Sequence, residues 1–162
     1  DGILFLSLIS GRNPNLLIGQ QVIAAPYLKQ TDLEIISTGY MLVDGGVPTS
    51  VSYMSNTTPI PREKKEIAYS TALAGEMLGL KMIYLDAGSG AKYHVDENMI
   101  NLLSEGLSVP VFVGGGIRTP EEAYNVAKAG ADVIVVGNVL EESPDLLEQM
   151  VSAVHQIQVK QK

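Results

Sequence analysis

The sequence predicts an α/β fold of the (β/α)8 TIM-barrel type, of which this chain supplies about five βα units. Three observations lead there. Five short apolar runs alternate strictly with helical patterns, the arrangement that yields a parallel sheet with right-handed crossovers. Four of the five runs end in a polar or glycine-rich turn, and α/β proteins bind ligands at those strand ends. The length of 162 residues is the share expected of five units when eight take ~250 residues. An open, doubly wound sheet is the alternative architecture. The chain opens at Asp1 without Met and enters an apolar run at once, which reads as a start inside a domain. Residues 1–157 are therefore expected to form part of a single barrel domain, and residues 158–162 a frayed tail.

The first strand is Ile3-Leu4-Phe5-Leu6-Ser7-Leu8-Ile9, nearly all apolar, as a strand buried on both faces should be. Asn13-Pro14 then reads as an N-cap and N1 pair, and Leu16, Leu17, Ile23, Ala24 and Leu28 carry a helical period. The second strand spans 34–43. A polar connection follows over 44–61, rich in Ser, Thr, Asn and Pro, a length usually kept for functional or mobile loops. The next helix carries Ile67, Ala68, Thr71, Ala72, Met77 and Leu78 to a stop at Gly79. The third strand, Met82-Ile83-Tyr84-Leu85-Asp86, ends in Ala87-Gly88-Ser89-Gly90, with a helix near 96–103. The fourth, Val109-Pro110-Val111-Phe112-Val113, ends in Gly114-Gly115-Gly116. Its helix opens with Thr119-Pro120-Glu121-Glu122, a capping box with Pro at N1. The fifth, Asp132-Val133-Ile134-Val135-Val136, ends in Gly137-Asn138, and Ser143-Pro144 is expected to cap a last helix running to about Ile157.

Composition removes several functions. With Lys+Arg 11 against Asp+Glu 18, the net charge of −7 offers no footprint for nucleic acid or an anionic membrane surface. Cys is absent, so disulfides, thiolate zinc sites and thiol catalysis are out. His94 and His155 are the whole histidine complement, too few for a multi-His metal site. No run approaches the ~20 apolar residues of a membrane span, and no signal-peptide layout opens the chain, so the cytoplasm is the expected location.

Chemistry is expected at the strand ends. Glycine lets backbone approach a ligand closely, and clustered N–H groups attract anions. Gly88-Ser89-Gly90, Gly114-Gly115-Gly116 and Gly137-Asn138 occupy three successive turns of this kind, which points to a phosphate. The dinucleotide spacing G-x-G-x-x-G is missing. Tyr84 and Asp86 alternate with Leu85, so both point to one face, into the mouth. A carboxylate there can take a proton from a substrate hydroxyl. Tyr40 either lines the same mouth or is a core tyrosine. Arg118 reads either as a phosphate ligand or as half of a surface salt bridge. Ser7 and Ser10 end the first strand, facing the mouth or bonding to backbone. Asp44 suits an Asp-Gly turn better than a metal. His94 belongs to a loop before a helix, and neither histidine takes a role.

These residues resemble a known family. Tyr84-Leu85-Asp86-Ala87-Gly88-Ser89-Gly90-Ala91, Gly114-Gly115-Gly116-Ile117-Arg118 and Val136-Gly137-Asn138 are similar to motifs of the geranylgeranylglyceryl and heptaprenylglyceryl phosphate synthases. Residues 38–46 and 5–10 resemble them too. The resemblance implies a modified (β/α)8 barrel in which this chain supplies strands four to eight. It implies transfer of a prenyl group from a diphosphate such as geranylgeranyl diphosphate to sn-glycerol 1-phosphate, an ether-lipid step. Mg²⁺ would assist, with ligands on strands before Asp1. The segment Tyr84, Leu85, Asp86, Ala87, Gly88, Ser89 and Gly90, with Gly115, Gly116, Gly137 and Asn138, would bind glycerol phosphate, and Asp86 would act as base. The family commonly carries Glu at the position of Asp86, which keeps the charge with a longer reach. A homo-oligomer is expected. The rival readings are another phosphate-binding barrel, such as a sugar-phosphate isomerase or lyase, and a non-catalytic half-barrel.

Overall fold

The apolar runs lie side by side in the order in which the chain makes them. The structure is a computed structural model and describes residues 1–157; the expected tail at 158–162 lies outside the described residues. Strands β1 (Gly2–Leu8), β2 (Glu34–Leu42), β3 (Met82–Asp86), β4 (Val111–Gly114) and β5 (Val133–Val135) form one parallel sheet ordered β1-β2-β3-β4-β5. A doubly wound sheet reverses its strand order at a switch point. No reversal occurs here, and the consecutive order is that of a barrel wall. The fold is five successive units of the (β/α)8 type.

Helices α1 (Gln20–Leu28), α2 (Ser50–Ser55), α3 (Lys65–Met77), α4 (Glu97–Gly106), α5 (Pro120–Lys128), α6 (Asn138–Glu142) and α7 (Leu146–His155) fill the connections. Several expectations need correction. The first helix opens as a π-turn over Asn15–Gly19, and Asn13 Oδ1 accepts the Asn15 N–H at 3.0 Å, so Asn13 organises the entry two residues ahead. The connection expected to lack structure holds α2. Thr49 caps it reciprocally with Ser52: each side-chain oxygen accepts the other residue's backbone N–H. The fourth strand starts at Val111 rather than Val109, because Pro110 has no N–H for the ladder; its carbonyl still accepts the Ile83 N–H at 3.0 Å. Ser143 closes the short α6 instead of capping α7, which follows Asp145.

Strand register sorts the side chains. Met41, Leu85, Val113 and Ile134 stand in one row and face the helices. Against them pack Ala68 and Ala72 of α3, Met99, Ile100 and Leu103 of α4, and Ala123 and Val126 of α5, all fully or almost fully buried. This aliphatic layer is the core. The adjacent row, Leu8, Tyr40, Tyr84, Phe112 and Val133, faces the other way, onto the concave side of the sheet. Its three aromatic rings touch: Tyr40 and Tyr84 meet edge-on at 5.4 Å between centroids, and Phe112 lies 6.3 Å from Tyr84. Strand β1 departs from the double burial its sequence suggests. It is an edge, and Ile3 and Leu6 stay exposed.

Candidate active site

The site starts from the alternation of β3. Tyr84 and Asp86 leave the strand on its concave face, while Leu85 between them is fully buried in the core. Asp86 is the last strand residue, and its two oxygens have different partners. Oδ1 accepts the backbone N–H of Gly88 at 2.7 Å, which folds the chain into the glycine turn. Oδ2 accepts the hydroxyl of Tyr40 from the neighbouring strand. One carboxylate thus braces the turn and presents a proton acceptor to the mouth. Burial, then the charge of Asp86, pushes the Tyr84 hydroxyl up to about 12. The same causes, with the hydrogen bond to Asp86, raise Tyr40 further. Both phenols remain protonated donors at neutral pH.

Three turns gather at this end of the sheet, and those of Gly88 and Gly115 lie against the carboxylate. Gly90, Gly115, Gly116, Gly137 and Asn138 line one cavity of about 200 Å³ together with Ile117, Arg118 and Glu142. Ser89 closes its rim by donating its hydroxyl to Asn138 Oδ1 at 2.9 Å, across 49 residues of sequence. Among the described residues, no acceptor within the chain takes the backbone N–H of Ser89, Gly90, Gly116 or Gly137. Donors that converge on a cavity without an acceptor suit an anion.

The glycines serve two purposes. A Cβ on Gly115, whose φ is +80°, would stand 2.6 Å from the backbone of Gly88. Gly116, at φ +73°, would strike the Tyr93 carbonyl at 2.6 Å. These positions need glycine because one turn presses on the next. At Gly90 and Gly137 a Cβ would meet nothing within 4 Å, so their bare faces look onto open space. That is where a ligand can approach.

Other expected positions resolve plainly. Ala87 is buried in the core like Leu85, so these two join the site through backbone alone. Ser7 donates to the Leu17 carbonyl at 2.7 Å, and the Ser10 hydroxyl accepts the Leu42 N–H at 3.0 Å, so each bonds to backbone. Asp44 makes the Asp-Gly turn, its Oδ1 accepting the Gly46 N–H at 2.8 Å. His94 sits before α4 with Nδ1 2.7 Å from the Val95 carbonyl oxygen. Arg118 lines this cavity and makes no ion pair among the described residues; its guanidinium donates to the carbonyls of Ala91 and Lys92. Tyr40 does join Asp86. Among the described residues no three His, Cys, Asp or Glu side chains gather that could hold a metal ion. The described residues therefore do not by themselves make a magnesium site.

A barrel-type sheet whose strand ends carry a glycine-lined cavity beside a carboxylate defines an α/β barrel protein with its candidate site at the strand ends. Comparison makes this particular: residues 1–158 match the model of the PcrB family, and the chain belongs to that family. It is 58% identical over 155 residues to a geranylgeranylglyceryl phosphate synthase of Chitinophaga pinensis, covering 96% of this chain and 62% of the relative. The synthase of the same name from Spirosoma linguale is 58% identical over 156 residues, covering 96% and 63%. A crystal structure of (S)-3-O-geranylgeranylglyceryl phosphate synthase from Thermoplasma acidophilum, in complex with substrate sn-glycerol-1-phosphate, superposes with a TM-score of 0.92 at 38% identity. That alignment covers 97% of this chain and 64% of the other. The chain therefore spans under two thirds of the length of these relatives.

Proposed function

We propose that the protein carrying this chain is a prenyltransferase that joins sn-glycerol 1-phosphate to geranylgeranyl diphosphate, giving geranylgeranylglyceryl phosphate. The observation that carries the reading is the placement of Asp86 Oδ2, with its two tyrosines, at the edge of an anion cup. The names of the relatives and the glycerol phosphate in the Thermoplasma acidophilum complex support it.

On this reading the phosphate occupies the cup formed by residues 88–90, Gly115, Gly116, Gly137 and Asn138. Its glycerol then reaches back toward Tyr84 and Asp86. Oδ2 of Asp86 takes the proton of the 3-hydroxyl as that oxygen bonds to the first carbon of the prenyl chain. The bond from that carbon to the diphosphate breaks, and its electron pair leaves with the diphosphate. Tyr40 donates its hydroxyl to the carboxylate, and Tyr84, also held protonated, stands beside it. Phe112 and Val133 of the concave row offer an apolar surface beside the reacting atoms.

The reading includes a magnesium requirement, a homo-oligomer and a cytoplasmic location. No described helix is long and apolar enough to cross a membrane.

The test is product formation by the full-length protein from geranylgeranyl diphosphate and each enantiomer of glycerol phosphate. Ether product with the 1-phosphate, lost on adding EDTA, is expected. No product with either enantiomer from a folded sample sinks the reading.

A further inference from the structure

Arg118 lines the anion cup, yet its guanidinium is already committed. Nη1 donates to the Lys92 carbonyl at 3.1 Å and Nη2 to the Ala91 carbonyl. The opposite ends of the same two peptides are held as well, because the N–H groups of Lys92 and Tyr93 both donate to the Gly45 carbonyl, at 2.8 and 3.0 Å. Two successive peptide planes are thus fixed between one arginine fork and one carbonyl oxygen. Arg118 is itself anchored, since its backbone N–H donates to Glu122 Oε2 at 2.7 Å. The clamped segment begins directly after Gly90, whose unpaired N–H points to a role in the cup.

We propose that Arg118 is a positioning residue for the phosphate site, acting through these two peptides rather than as a charge on the ligand. It fixes residues 91–93, and through them keeps the Ser89-Gly90 turn in the shape that receives a phosphate. The proposal rests on the reading of the cup as a phosphate seat. The device needs a planar fork with two parallel donors, which lysine lacks. Charge and clamp are therefore separable. Arg118→Lys keeps the charge and loses the fork, and Arg118→Gln loses the charge. Arg118 is exposed, so both variants are expected to fold.

The experiment uses the full-length protein and measures calorimetric affinity for inorganic phosphate and for sn-glycerol 1-phosphate. Amide hydrogen exchange at Lys92 and Tyr93 is followed without ligand. A clamp predicts that the lysine variant loses roughly tenfold or more in affinity for both probes, the worth of one charge-assisted hydrogen bond, and that glutamine loses as much. Both variants exchange Lys92 and Tyr93 faster. The KM for glycerol phosphate rises, while kcat and the KM for the prenyl diphosphate stay near wild type. Wild-type phosphate affinity in Arg118→Lys, unchanged exchange in both variants, or no phosphate bound by the wild type overturns the proposal. Arg118-dependent phosphate binding in a protein that transfers no prenyl group leaves the clamp standing and overturns the prenyltransferase reading.

Discussion

At the scale of single residues, Asp86 serves both structure and chemistry, and the two can be separated. Asp86→Asn keeps an acceptor for the Gly88 N–H and removes the base. Turnover of the full-length protein should fall roughly 10²–10⁴-fold with little change in thermal unfolding; equal turnover would leave Asp86 as a turn brace only. The glycines divide in the same way. Gly137→Ala places a methyl group in open space, so it should cost glycerol phosphate affinity in calorimetry with a small change in melting temperature. Gly115→Val should instead lower stability, since its side chain meets the Gly88 backbone and a φ of +80°. Alkali gives a third check. Tyr84 has a folded pKa of about 12 against an ordinary 10.0. Below 10 both folded and unfolded chains keep its proton, and stability is flat. Between 10 and 12 only the unfolded chain releases it, so stability falls as pH rises. Denaturant midpoints at pH 9, 10 and 11 should drop less in Tyr84→Phe than in the wild type.

At the scale of elements, periodicity revealed what tertiary packing repeats and missed what packing improvises. The run Met82–Asp86 and the box Thr119-Pro120-Glu121-Glu122 carry their structure locally, and both form where their residues say. Tyr84 and Asp86 share a face because a strand alternates, so their half of the site was legible too. Helix α2 was not. Its box uses Ser52 where glutamate is the usual partner, and its six residues are too few to show a period. Its position is set from outside the segment: the Thr49 side chain lies on Gly88, where an added Cβ would stand 2.3 Å from it. The Arg118 clamp and the Tyr40 bond to Asp86 were hidden for the same reason, since each joins residues distant in sequence. Thr49→Ala should therefore act twice. It should destabilise by about 1 kcal/mol as a lost cap. It should also loosen the turn beneath it, seen as faster amide exchange at Ser89 and Gly90; exchange confined to residues 50–55 would show that α2 acts alone.

At the scale of the whole molecule, the sheet has helices on one face and a concave row of aromatic and aliphatic side chains on the other. Its first and last strands each pair on one side only. Residues 1–162 produced alone should therefore self-associate, with a light-scattering mass above that of one chain; a monomer at all concentrations would show that the edges are harmless. The consecutive strand order has a consequence for synthesis. From β2 onward, each strand's first partner is the strand made just before it, so none of these four waits for a later one as it emerges from a ribosome. The anion cup follows a different calendar. It draws on the turns after β3, β4 and β5, so its walls gather over some fifty residues, and the Ser89–Asn138 bond closes it only when the fifth turn has been made. A nascent chain can thus hold a growing, ordered sheet well before it can hold a phosphate.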